Sequence, residues 1–144
     1  MAFHFSLQKV LDYRAQLEEE ARAAFAAAQA AEQACARHLA ALQRELDLTE
    51  ARLCGAVQDN GERWLLEAYA RGLREDARVA AARLAELRRA LEQCRAELLH
   101  RAVDKGLLDK LKERRREQFR REEALKEQKI NDETATLRHS APAL

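Results

Sequence analysis

No residue before Pro142 is a proline, and along this uninterrupted stretch apolar residues recur at alternating steps of three and four. Proline is the strongest helix breaker, because it lacks the backbone donor and clashes with the preceding turn. One stripe reads Leu39, Leu42, Leu46, Thr49, Leu53; a second reads Ala77, Ala80, Leu84, Leu87, Leu91, Cys94, Leu98. Each is a heptad seam. Alanine, leucine, arginine and glutamate dominate, all of them good helix formers. Aromatic residues make up only 5% of the chain and charged residues 35%, so few bulky side chains exist from which to build a globular core. Burial must follow a thin seam between helices. The pattern predicts an all-α fold: one domain over 1–144, built as a long antiparallel two-helix coiled-coil hairpin with an extended C-terminal helix.

The boundaries follow from capping and turn chemistry. Ser6 is the expected N-cap of helix one. Phe5 before it and Val10 after it are spaced for a hydrophobic staple, while Lys9 stands where a capping box would need Glu. The break falls at Asp59-Asn60-Gly61, since Asn-Gly readily takes positive φ and Asp bonds its own backbone. Helix one is therefore expected over about 7–57, the turn over 58–61, helix two over about 62–137, and a frayed tail over 138–144. Gly72 and Gly106 lie inside helix two, and each costs ~1 kcal/mol relative to Ala. They mark soft spots and not ends.

A reversal at 59–61 sets the two seams against each other. Leu53 then faces Leu66, Leu46 faces Leu73, Leu42 faces Ala77, Ala28 faces Leu91, Ala21 faces Leu98 and Leu11 faces Leu108. Large residues meet small ones, as close interdigitation requires. The arms are unequal. At 1.5 Å per residue helix one would be about 75 Å long and helix two about 115 Å, leaving roughly 40 Å unpaired.

Net charge is only +1, but residues 1–57 are mildly acidic and residues 62–139 mildly basic, which suits two segments lying side by side. Nucleic-acid binding is not expected, because glutamates punctuate the basic stretches and no groove-fitting module is present. No apolar run approaches the ~20 residues that span a bilayer, so no integral membrane span is expected. Cys35, Cys54 and Cys94 show no metal-ligand spacing. They read as small apolar residues near the seam, and neither Cys35 nor Cys94 meets another cysteine in this register. His4, His38, His100 and His139 are scattered. No cofactor, metal or ATP site is expected, and a two-helix rod offers no enclosed pocket, so an enzyme is not expected either.

Two features exceed the needs of a coiled coil. Lys110, Lys112, Arg114, Arg115, Arg116, Arg120 and Arg121 concentrate positive charge on the part of helix two expected to lie unpaired. A solvated helix face is the plain reading of such a run, and a charged contact with a partner is the functional one. Near the turn, Trp64, Leu65, Tyr69 and Leu73 gather bulky side chains that a two-helix tip cannot fully bury. They either plug the end of the seam or form a docking patch, since Trp and Tyr are favoured binding anchors.

The opening Phe3-His4-Phe5-Ser6-Leu7-Gln8-Lys9-Val10-Leu11-Asp12-Tyr13-Arg14 resembles the start of the flagellar export protein FliJ family. Leu108-Asp109-Lys110-Leu111-Lys112-Glu113-Arg114-Arg115 and Gln128-Lys129-Ile130-Asn131-Asp132-Glu133 resemble that family's C-terminal signature. Asn131 and His4 depart from it, where an apolar or acidic and a basic residue are usual. The resemblance implies a stalk-like component of the flagellar type III export apparatus. Such a component is cytoplasmic and peripheral at the cytoplasmic face of the inner membrane. The implied partners are the hexameric export ATPase FliI, at the end carrying the basic run, the export gate protein FlhA, at the aromatic tip, and export chaperones. A generic structural coiled coil and a stalk of a virulence-type secretion system are the rival readings.

Overall fold

The computed structural model describes residues 2–55 and 59–140. Two helices account for nearly all of them: α1, Gln8–Cys54, of 47 residues, and α2, Asn60–Ser140, of 81 residues. The fold is an all-α two-helix hairpin with α2 much the longer helix. The expected end of helix one at 57, residue 58 of the turn and the tail over 141–144 lie outside the described residues. Packing divides the chain into two compact units, Met1–Glu18 with Arg101–Leu144, and Glu19–His100.

In the Glu19–His100 unit the seam keeps the heptad step throughout. On α1 the shielded positions include Ala21, Phe25, Ala28, Glu32, Cys35, Leu39, Leu42, Leu46, Thr49 and Leu53. On α2 they include Leu66, Ala70, Leu73, Ala77, Ala80, Leu84, Leu87, Leu91, Cys94 and Leu98. Ala70 has 0% of its surface exposed, which follows from its small side chain letting the two backbones come close. Thr49, at 3% exposed, is the buried polar residue of the seam. Its hydroxyl donates to the Glu45 carbonyl at 2.8 Å, the usual solution for a threonine inside a helix. The three cysteines are free thiols, and Cys35 Sγ donates to the Ala80 carbonyl at 3.6 Å.

The charge asymmetry is used across this seam. Arg88 Nε meets Glu32 Oε1 at 3.2 Å, and Arg74 Nη2 meets Glu50 Oε1 at 3.1 Å, each an α2 cation on an α1 carboxylate. Arg74 and Glu50 are both about half exposed, and Arg88 is exposed over a Glu32 that is largely covered, so the weight of these pairs is in choosing partner and register more than in stability. The Arg95 guanidinium also lies 5.9 Å from the centre of the Phe25 ring.

The start of α2 differs from expectation. Asn60 and Gly61 do not form a positive-φ turn: no described residue has positive φ, and both belong to the first turn of the helix. Asp59 is the cap. Its Oδ1 accepts from Gly61 N at 3.0 Å, and its carbonyl accepts from Arg63 N at 3.0 Å. That satisfies two groups of the open helix end, while Glu62 in the first turn complements the helix dipole. α2 then passes through Gly72 and Gly106 without a break and reaches Ser140, beyond the expected 137.

In the unit formed by both chain ends, Phe5, Leu11 and Leu108 form a buried cluster, with Phe3, Leu7 and Leu111 packed against it. The expected pairing of Leu11 with Leu108 is present. The expected caps are not. α1 begins at Gln8, and the Ser6 hydroxyl accepts from Arg115 Nη1 at 3.0 Å instead of capping the helix. Val10 is 41% exposed, so Phe5 buries itself against the α2 side and not in a staple. Lys105 Nζ lies 3.8 Å from Glu18 Oε2, and Arg14 Nη1 donates to the Asp104 carbonyl at 3.1 Å. Burial ends abruptly along α2. Glu123 is the last partly covered residue, and every described residue from 124 to 140 is exposed.

Candidate functional site

Two candidate surfaces result, one in each unit. The first is the basic stretch of α2 beside the N-terminal segment. The expectation that this stretch lies unpaired is corrected. Residues 3–7 precede α1 and run along α2, so Leu111, Arg115, Arg116 and Phe119 all have partners upstream of helix one. The Phe3 and Phe119 rings sit 5.7 Å apart, inclined at 53°. Arg115 lies over the Phe5 ring with its central carbon 5.7 Å from the centroid, and Arg116 lies over Phe3 at the same 5.7 Å.

The seven cations therefore fall into groups. Arg115 is held by Phe5 and Ser6, and Arg116 by Phe3 and Glu113, whose Oε1 accepts at 3.3 Å. Arg120 and Arg121 both reach Glu117, at 3.9 and 3.4 Å. These contacts join side chains 67% and 75% exposed to one 52% exposed, so they are weak and easily exchanged. Lys112 is partly buried. Lys110 and Arg114 are exposed and form no ion pair among the described residues.

Phe3, Phe5, Ser6 and Phe119 are members of this surface that sequence reasoning did not assign to it. A signal existed: the chain has four phenylalanines, and three of them meet here. Where aromatics are so scarce, two of them at alternate positions before a helix imply a surface for them to cover.

The second surface lies near the start of α2. Trp64 is 63% exposed, Leu65 62% and Tyr69 48%. Leu73 is different. It is 6% exposed and sits in the seam, as its place four residues before Ala77 required, so it supports this surface from below and is not part of it. The Tyr69 hydroxyl donates to Glu45 Oε1 on α1 at 3.2 Å. Desolvation first, and then the Glu45 carboxylate, push its pKa above the ordinary tyrosine value. Gly72 follows one turn on and has open space where a Cβ would stand. Leu48 of α1, 62% exposed, adds to the apolar surface of the same unit.

Among the described residues no cluster of three or more His, Cys, Asp or Glu side chains could hold a metal. The other perturbed groups are Glu75, lowered, and Arg78, raised, chiefly by their own mutual hydrogen bond on an exposed helix face. The described helices include none long and apolar enough to cross a membrane. What the two surfaces offer is contact: a cation-rich stretch of α2 with aromatic backing in one unit, and an aromatic patch in the other.

The model of the family described as Flagellar FliJ protein matches residues 3–143. No curated protein and no solved structure matches the chain.

Proposed function

Because the chain belongs to the flagellar FliJ family, we propose that it is a stalk-like adaptor of the flagellar type III export apparatus. In this reading it has no catalytic activity of its own. It binds and stimulates the hexameric export ATPase FliI, and it couples that enzyme to the export gate protein FlhA and to export chaperones. Its place is in the cytoplasm, peripheral at the cytoplasmic face of the inner membrane.

The observation that carries this reading is the exposed cation set on α2, Lys110, Arg114, Arg120 and Arg121, in the unit formed by Met1–Glu18 and Arg101–Leu144. Among the described residues Lys110 and Arg114 have no ion pair to give up, and the Glu117 contacts of the other two are solvent-screened. Such side chains lose little on meeting acidic groups of a partner, whose attraction they would also use to speed encounter. Lys112, Arg115 and Arg116 complete the set. At the other surface, Trp64, Leu65 and Tyr69, supported from beneath by Leu73, are the proposed contact for FlhA.

A pull-down with the export ATPase, followed by ATPase assays with and without the chain, tests the first contact. Charge reversal at Lys110→Glu with Arg114→Glu should abolish the stimulation and leave helicity unchanged. Full stimulation by that variant would remove the basis of the reading. Truncation after Leu108 is a poorer test, because it also strips Leu111, Arg115 and Phe119 from the N-terminal segment.

A further inference from the structure

Two of the seven cations are treated differently from the rest. A lone arginine on an exposed helix samples many rotamers, and most of that freedom is lost when it binds. Arg115 and Arg116 each hold two contacts that restrict it. The Arg115 guanidinium carbon lies over the Phe5 ring, 5.7 Å from its centroid, and the group donates one N–H to Ser6 Oγ at 3.0 Å. The Arg116 guanidinium carbon lies over the Phe3 ring, 5.7 Å from its centroid, and the group donates one N–H to Glu113 at 3.3 Å. Phe5 is 4% exposed and anchored in the Leu11–Leu108 cluster, and Phe3 is braced by Phe119 at 5.7 Å. The platforms are thus fixed.

A cation–π contact uses the charge of a guanidinium and none of its five N–H donors. An arginine held over a ring can therefore still grip a carboxylate with two parallel hydrogen bonds. Each clasp takes up one donor and leaves the others.

We propose that Phe3, Phe5 and Ser6 are positioning residues that hold Arg115 and Arg116 as preoriented forks for carboxylates on the surface of the export ATPase. The proposal rests on the reading that this end of the chain meets that enzyme. It goes beyond that reading by assigning the N-terminal segment a role in recognition and by separating two kinds of cation. Lys110, Arg114, Arg120 and Arg121 supply attraction. Arg115 and Arg116 supply fit.

The test is a pair of double-mutant cycles, Phe3→Leu with Arg116→Ala and Ser6→Ala with Arg115→Ala, reading affinity of the full chain for the ATPase. Leucine keeps the apolar contact of Phe3 and removes its π face. Phe3→Leu and Ser6→Ala should each weaken binding about threefold to tenfold, the scale of one exposed cation–π contact or hydrogen bond. Each should have no further effect once its arginine is gone, because a residue acting through another has nothing left to act on. Losses that add, or no loss at all while the wild-type chain binds, overturn the proposal.

Wild-type chain that fails to bind the ATPase overturns the functional reading itself, and the recognition role with it. The clasp has its own readout in the free protein. The side-chain methylene protons of Arg115 and Arg116 should show upfield ring-current shifts, and those of Arg116 should return to ordinary values in Phe3→Leu. Ordinary shifts in the wild-type chain would dissolve the clasp whatever the partner does.

Discussion

Leu11 of α1 and Leu108 of α2 are buried together, 6% and 8% exposed, under the ring of Phe5. The contact joins residues far apart in sequence and shares Phe5 with the clasped Arg115. Leu108→Ala should therefore destabilise the protein by about 2–4 kcal/mol, from lost apolar transfer and incomplete collapse of the gap. Its neighbour Leu107, 59% exposed, should tolerate alanine within about 0.5 kcal/mol. Urea unfolding followed by circular dichroism compares the two, and equal effects would contradict the cluster.

Gly72 offers the reverse case. A Cβ placed there meets nothing within 4 Å, and the backbone is plain helix. Gly72→Ala should stabilise by about 0.5–1 kcal/mol, because alanine loses less backbone freedom on folding. Thermal melts give this directly. If the patch of Trp64, Leu65 and Tyr69 docks the gate protein, a bulkier Gly72→Gln should weaken that docking without lowering the melting temperature. Unchanged binding would confine the contact to the aromatic residues.

Asp59 holds the first turn of α2 through its side chain and its carbonyl. Asp59→Ala should cost about 0.5–2 kcal/mol, and Asp59→Asn much less, since asparagine caps nearly as well. A denaturation series of the three proteins settles the order. An equal loss for both variants would assign the effect to charge and not to the hydrogen bond.

Tyr69 provides a titration with a defined sign. Its folded-state pKa is raised above the ordinary tyrosine value by desolvation and then by Glu45. A group raised in the folded state contributes stability that is complete below its unfolded value and is lost as pH rises through the folded value. The contribution should therefore fade only above pH 10. In a Tyr13→Phe background, ultraviolet absorbance of the single tyrosinate should show Tyr69 titrating above the ordinary value. Glu45→Gln should bring it part of the way back, leaving the desolvation effect in place. Titration at the ordinary value in the parent protein would remove the Glu45 contact.

The sequence by itself determined the helices and the seam. A step of three and four, repeated without proline, permits one face to be buried and no other, so Leu84, Leu87 and Leu91 line up without knowledge of any neighbour. The same rule already placed Leu73 inside, four residues before Ala77, where its bulk had suggested a surface role. Only the tertiary structure decided the ends. Ser6 has the chemistry of a helix cap, yet its hydroxyl serves Arg115, 109 positions away in sequence. Asn60-Gly61 has the chemistry of a turn, yet Asp59 recruits both residues into α2. Caps, turns and clasps compete for the same few hydrogen bonds, and the winner depends on which side chains the fold brings within reach. Periodicity is local and reads along one strand of sequence, whereas a phenylalanine under an arginine exists only after the chain has come back on itself.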